Sequence, residues 1–140
     1  MFVILDTNHF RELGENSVLG SNLSRRIEAA DADVFTCIVA VEETLRGWMA
    51  VVRRCKRGPD EVIAYSRLQR SIEALIKLPI LAFDNEAFEF SMRLRKAHPQ
   101  AGTMDLKIAS ICLAHDAMLL TRNVGHFKNI PGLRVENWLE

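Results

Sequence analysis

Residues 2–8, Phe-Val-Ile-Leu-Asp-Thr-Asn, join a short apolar run directly to polar side chains. Consecutive apolar residues predict a strand that is buried on both faces, as in a parallel sheet. Similar runs at residues 34–38, 80–83 and 118–121 predict further strands, and residues 133–135 begin an alternating pattern that is typical of an edge strand. Helical patterns separate these runs. The sequence therefore predicts an α/β fold, a three-layer α/β/α sandwich with a mostly parallel central sheet.

A helical hairpin is predicted between the second and third strands. From Ile38, apolar residues recur every three or four positions, and this period predicts a helix over residues 38–56. Gly58-Pro59-Asp60 then interrupts the chain and begins a second helix, because Pro is favoured at the first helical position. Residues 38–77 therefore predict a protruding pair of antiparallel helices.

Two further helices are predicted in the second half of the chain. Asp84 is the predicted N-cap of a helix that ends near Ala97. The last long helix, residues 104–115, is apolar on nearly every side, so it is predicted to pack in the centre of the domain.

The composition predicts one globular domain over residues 1–140. The 18 Lys and Arg balance 18 Asp and Glu, so any site for a polyanion must be a local patch. Three widely spaced Cys without a Cys-x-x-Cys pair argue against a disulfide framework and a structural zinc site. The apolar N-terminal run is too short for a signal or membrane-spanning segment, so we expect a cytoplasmic protein that does not bind membranes.

Several polar residues fall where strands end and helices begin. Asp6 and Asn123 follow predicted strands, and Asp105 stands in the first turn of the central helix. Ligands of open α/β sheets bind beyond the carboxyl ends of the strands. For Asp105 alone, a favourable interaction with the helix dipole is an equally good explanation. Glu43 and Gly47 point away from the apolar stripe of their helix, which fits either a solvated face or the wall of a wet cleft.

Four short motifs, taken in chain order, resemble those of a known family. They are Leu5-Asp6-Thr7-Asn8, Glu43-Thr44-Leu45-Arg46-Gly47, Met104-Asp105-Leu106-Lys107-Ile108-Ala109, and Leu120-Thr121-Arg122-Asn123 with Phe127 and Pro131-Gly132-Leu133 downstream. In order and spacing the chain resembles the PIN-domain ribonucleases, in particular the VapC toxins of bacterial and archaeal toxin–antitoxin pairs. The resemblance covers almost the whole chain and implies a PIN-like fold.

The resemblance also implies a metal-dependent endoribonuclease in which Asp6, Glu43 and Asp105 are acidic ligands of Mg²⁺ or Mn²⁺. Two carboxylates about 4 Å apart repel by roughly 4 kcal/mol at an effective dielectric constant near 20, and a cation between them relieves that repulsion. Hard divalent ions prefer such oxygen ligands.

The chain departs from the family at the fourth acidic position, which Asn123 occupies, with His126 nearby. A neutral amide leaves about three negative charges, so we expect one well-held ion. Asn123 is either a fourth catalytic residue or simply the N-cap of a short helix through Phe127.

Three more polar side chains are candidates for substrate binding. Thr7 and Thr121 could bind a ligand water or a carboxylate, or could cap a turn instead. Arg46 could reach an RNA phosphate or pair with an acid. Asn8 is expected to brace Asp6.

The partners expected from the resemblance are RNA, an antitoxin protein and a second copy of the chain. The densest cationic group is Arg53, Arg54, Lys56 and Arg57, although such runs are usually solvated helix faces. Trp48 is expected to pack on the apolar stripe. The apolar hairpin is the expected surface for the antitoxin and for a homodimer.

Two alternatives remain open. A PIN-like binding module that no longer cuts RNA is supported by the missing fourth acid. A small α/β nucleotide-binding protein is disfavoured, because both Gly-rich phosphate-binding motifs, Gly-x-Gly-x-x-Gly and Gly-x-x-x-x-Gly-Lys, are absent.

Overall fold

The computed structural model describes residues 1–13 and 16–140. Within them, five strands form one sheet in the order β3-β2-β1-β4-β5, and every neighbouring pair is parallel. The strands are β1 (Phe2–Leu5), β2 (Asp33–Cys37), β3 (Ile80–Leu81), β4 (Met118–Leu120) and β5 (Val135–Glu136). All five lie at or beside the predicted positions. The α/β prediction is confirmed, and β5 is an edge strand as expected.

Seven helices accompany the sheet in the described part of the chain. They are α1 (Thr7–Glu12), α2 (Val18–Ala29), α3 (Ile38–Arg54), α4 (Pro59–Leu75), α5 (Asn85–Ala97), α6 (Thr103–Ala114) and α7 (Val124–Phe127). The predicted hairpin is confirmed as α3 and α4, which pack against each other. Gly58 joins them with a φ of +122°, a left-handed conformation that favours glycine, and Pro59 begins α4. The sequence patterns did not identify α1 or α2.

Alternating side chains of the strands place two apolar layers on the two faces of the sheet. Ile4 and Leu119 belong to one buried cluster, which includes most of the buried side chains of α6. Val3 and Leu5 belong to the other, with residues of α2, α4 and the C-terminal segment. The sandwich therefore has three layers, and α6 is a core helix as its composition predicted.

The chain order of the strands determines where a ligand site can form. From β1 the chain moves to β2 and β3 on one side, whereas β4 and β5 lie on the other side. The crevice at such a switch point, beyond the carboxyl ends of β1 and β4, is where open α/β sheets bind ligands. Helices α3 and α6 also begin at this edge, because α3 follows β2 and α6 precedes β4 in a parallel sheet.

No helix in the described ranges is both long and apolar enough to span a bilayer.

Candidate metal centre

Asp6 is fixed at the switch point by two hydrogen bonds. It caps α1, where Oδ1 accepts from the Thr7 N–H at 2.8 Å, and Oδ2 accepts from the Thr121 hydroxyl at 2.9 Å. Thr121 Oγ1 in turn accepts from the Asn123 N–H at 3.1 Å. The Asp6 side chain is thus held between the ends of β1 and β4 and is 8% exposed. Thr7 and Thr121 brace Asp6, whereas Asn8, which was expected to do so, forms no hydrogen bond with the Asp6 side chain in the described part of the chain.

Glu43 reaches the same edge from the second turn of α3. Burial raises the pKa of Glu43, and the charges of Asp6, Asp105 and Glu42 raise it further. Its side chain is half-buried and lines a cleft of about 220 Å³ with Gly47. Of the two readings of this helix face, the wall of a wet cleft is therefore the one that the structure supports.

Asp105 lies in the first turn of α6, with His126 beside it. The distance from His126 Nδ1 to Asp105 Oδ2 is 3.4 Å. Burial raises the pKa of Asp105, His126 opposes the rise, and the charge of Asp6 adds to it. His126, which the sequence places near the fourth motif, therefore lies against one of the proposed acids.

We call Asp6, Glu43 and Asp105 the carboxylate cluster, because their charges interact. The negative charges also act on Cys37 at the end of β2. Burial raises the pKa of its thiol to about 11, and the charges of Asp6 and Glu43 contribute to the rise. In residues 1–13 and 16–140, however, no three His, Cys, Asp or Glu side chains lie close enough together to hold an ion as they stand. The cluster shares one electrostatic environment without being a closed coordination shell.

The remaining predicted residues surround the cluster at different depths. Thr7 Oγ1 is buried and has no hydrogen-bond partner in the described chain, although its hydroxyl lies near enough to Glu43 to oppose the rise in its pKa. Asn123 is exposed at the N-cap position of α7 without a side-chain cap hydrogen bond. Arg46 lies on an exposed face and pairs with Glu42 at 2.8 Å. It therefore takes the second of the two roles considered for it.

Next to the cleft beside Glu43 lies a larger cavity, which the sequence patterns did not predict. Arg11 and Trp48 line both spaces. Trp48 was expected to pack on the apolar stripe, yet its side chain is only partly buried and borders this cleft. Arg11 lies one helical turn after Thr7, a spacing that would have indicated a shared face if α1 had been recognised as a helix.

Comparison with known proteins places this arrangement in context. A family model described as the PIN domain matches residues 3–133. Ribonuclease VapC2 of Rickettsia felis is 38% identical to the chain over 68 residues, which cover 46% of this chain and 51% of that protein. The chain therefore matches about half the length of this curated relative.

Two solved structures share the fold over nearly their whole length. One is VapBC2 from Rickettsia felis bound to a DNA fragment from its promoter, with a TM-score of 0.75 and 25% identity over 99% of both chains. The other is a toxin–antitoxin complex from Klebsiella pneumoniae, with a TM-score of 0.67 and 22% identity over 96% of both chains. At this lower identity, the likeness to the Klebsiella pneumoniae structure shows only that the two chains share a fold.

Proposed function

This chain belongs to the PIN domain family, and we propose that it is a metal-dependent endoribonuclease that serves as the toxin of a toxin–antitoxin pair. The observation that carries the proposal is the carboxylate cluster at the sheet edge, where burial and like charge raise the pKa values of Glu43 and Asp105. The name of the relative Ribonuclease VapC2 supports the same activity. An enzyme that cuts cellular RNA would act in the cytoplasm.

Asp6, Glu43 and Asp105 are the residues that would hold Mg²⁺ or Mn²⁺. The donor set suits these ions, because all donors are hard oxygens and their mutual repulsion is relieved by a cation. When bound, the ion would polarise a phosphate oxygen and make a bound water more acidic. Asp6 is positioned for this role by Thr7 and Thr121, while Glu43 and Asp105 are partly exposed at the same edge of the sheet.

Other residues would act on the water and the substrate. The unpartnered Thr7 hydroxyl faces Glu43 and is available to bind a water of the site. Thr121 keeps its hydroxyl on Asp6 and so contributes through that carboxylate. Asn123 provides a neutral amide at the edge, consistent with a single ion. Arg46 would bind a phosphate only after leaving Glu42.

We also propose an antitoxin and a second copy of the chain as partners. Large apolar side chains remain exposed along the hairpin, with Met49 at 53%, Val62 at 66% and Tyr65 at 55%. An apolar surface of this kind commonly marks a protein interface. A partner seated beside the cluster would block it.

The proposal is tested by Mn²⁺ titration in a calorimeter and by incubation of a structured RNA with Mg²⁺, with and without EDTA. Wild-type protein should bind Mn²⁺ and cut the RNA, and EDTA should stop the cutting. Asp105→Asn should abolish both. Asp60→Asn is the matched control, because Asp60 also stands in the first turn of a helix but is exposed on the hairpin. Unchanged cleavage in Asp105→Asn would overturn the assignment.

The second candidate is a PIN-like binding module without activity, which is favoured by Asn123 at the fourth acidic position. In that case RNA or the antitoxin would bind, and the wild type would neither bind Mn²⁺ nor cut RNA. Substituting Asn123→Asp separates the two candidates further. If cleavage appears only in this variant, the wild-type chain is the inactive module.

A further inference from the structure

A cavity of about 640 Å³ lies between α1 and the hairpin of α3 and α4. Its volume falls in the range of roughly 300 to 1,000 Å³ that holds a drug-sized molecule. Phe10 and Leu13 form its apolar floor, and Trp48 stands at the boundary with the smaller cleft beside Glu43. The cavity therefore adjoins the cleft that Glu43 lines, with Arg11 and Trp48 shared between the two.

Four cationic side chains line this cavity: Arg11, Arg67, Arg70 and Lys77. We call it the cationic cavity. Its described lining includes no acidic residue, and none of the four cations forms an ion pair in the described part of the chain. In a protein with no net charge, four cations that have no ion pair among the described residues, around one concave space, form a local site for a polyanion.

The connection to the carboxylate cluster indicates which polyanion fits. If one phosphate of an RNA strand lies at Asp6, Glu43 and Asp105, the next nucleotides carry further phosphates along the adjoining cleft. That cleft passes Gly47, where open space replaces a side chain, and reaches Arg11 and Trp48. Cations that follow a backbone and an aromatic face for a base are the usual components of single-strand binding grooves.

We propose that the cationic cavity binds the single-stranded RNA that extends from the cleavage site on the α4 side. Arg67, Arg70 and Lys77 bind phosphates, Arg11 bridges the cavity and the cleft, and Trp48 contacts a base. This inference rests on the proposed ribonuclease function and assigns it a substrate-binding groove. It also differs from the cationic run at residues 53–57: both groups of side chains are exposed, but the residues of that run do not line the cavity.

The experiment measures binding of a fluorescein-labelled oligouridylate of twelve nucleotides by fluorescence anisotropy, in EDTA so that no cleavage occurs. The double variant Arg67→Gln with Arg70→Gln should weaken binding by about 10-fold at low salt. Because each phosphate contact on a single strand contributes about 0.7 to the slope of log K against log salt, the slope should fall by roughly 1.4. The control is Arg53→Gln with Arg54→Gln, which removes the same charge from exposed positions of α3 and should change binding less than about twofold.

Trp48 gives a second measurement that reports the location of the RNA. Oligouridylate should quench the tryptophan emission of the wild type, and Trp48→Phe should lose this response, because Trp138 is buried. Equal loss of affinity in the two arginine pairs would overturn the proposal, as would emission that RNA leaves unchanged. An oligoglutamate peptide that binds more tightly than the RNA and displaces it would also overturn it and identify a site for an acidic peptide.

Cleavage kinetics distinguish failure of this inference from failure of the proposed function. If the wild type cuts RNA with Mn²⁺ while the Arg67/Arg70 variant keeps the same KM and kcat, the enzyme stands and the groove is wrong. If the wild type cuts no RNA but the cavity variants lose oligouridylate binding, the groove stands and the nuclease is wrong. The result expected here is a raised KM with little change in kcat.

Discussion

Asp6 and His9 lie three positions apart at the start of α1, and both are buried, yet they belong to two regions with opposite properties. Asp6 joins Glu43 and Asp105 in a cluster of like charges. His9 Nε2 accepts a hydrogen bond from the Trp138 N–H at 3.0 Å, and near it Arg122 pairs with Glu140. We call His9, Trp138, Arg122 and Glu140 the C-terminal clasp. One region concentrates unbalanced charge, and the other ties the chain end to the core.

The pKa shifts of the buried groups differ between the two regions in the same way. Burial lowers the pKa of His9 to about 4, so the ring is neutral at pH 7, as its role as a hydrogen-bond acceptor requires. Burial and like charge raise the pKa of Glu43 and Asp105, so these carboxylates ionise only against an opposing free energy. A bound cation would lower the free energy of the ionised carboxylates, whereas the neutral His9 ring needs no counter-ion. Burial thus keeps the His9 ring neutral in the clasp, whereas in the cluster it disfavours the ionised carboxylates that a cation would stabilise.

The largest expected effect is that of Asp6→Asn on RNA cleavage. Asparagine retains the oxygen that caps α1 but removes the charge and the oxygen that accepts from Thr121, so cleavage should fall by about 100-fold or more while the thermal midpoint falls only by the loss of one hydrogen bond. Rates with Mn²⁺ and melting curves measure the two effects. Asp84→Asn is the control, because Asp84 caps α5 in the same way and lies outside the cluster. If both variants cut equally well, Asp6 is only a cap.

The next effect is on the pH dependence of stability. The unfolded chain protonates His9 near pH 6.5 but the folded chain only near pH 4, so the free energy of unfolding should fall as the pH drops through this window, by at most about 3 kcal/mol. Glu43 and Asp105 act in the opposite direction, because their raised pKa values let the folded state bind protons first as the pH drops.

Urea unfolding at several pH values separates the two regions. His9→Gln keeps an acceptor for Trp138 but does not titrate, so its stability should fall less on acidification than that of the wild type, or even rise. His115→Gln serves as the control and should follow the wild type. Identical slopes in the wild type and His9→Gln would contradict the role assigned to His9.

The difference between the regions also explains what the sequence could predict. The strands and the acidic residues could be predicted from local sequence patterns, because apolar runs and the residues directly after them determine which side chains reach the sheet edge. The contact of His9 with Trp138 joins residues 129 positions apart, and no local pattern encodes it. His9 is fully buried at this long-range contact.

The cationic cavity was missed for a related reason. Its cations come from α1, from α4 and, for Lys77, from the segment just after α4, and they meet only after the hairpin packs beside α1. In the sequence, the cationic residues at 53–57 lie closer together along the chain than those of the cavity. Charge density along the chain is therefore a weaker guide than charge around one concave surface.

A smaller effect is expected for Glu43→Gln in the absence of metal. Removing one of the mutually repelling carboxylates should increase the free energy of unfolding by about 0.5 to 1 kcal/mol, since solvent screens a half-buried group. The adjacent Glu42→Gln is a close control: Glu42 also repels Glu43, but it is exposed and its removal breaks the pair with Arg46, so no net gain is expected. Chemical denaturation in EDTA at pH 7 makes the comparison. A loss of stability in Glu43→Gln would mean that the cluster is not under repulsion.

The smallest effect concerns the exposed part of the clasp. Arg122 and Glu140 are both about half exposed, and pairs of this kind contribute about 0 to 1 kcal/mol. Glu140→Gln should therefore lower the free energy of unfolding by less than about 0.5 kcal/mol at pH 7, and the effect should vanish in high salt. A loss well above 1 kcal/mol would mean that the surface ion pair, and not the buried hydrogen bond of His9, contributes most of the stability of the clasp. Because Arg122 directly precedes Asn123, such a result would also link the end of the chain to the carboxylate edge.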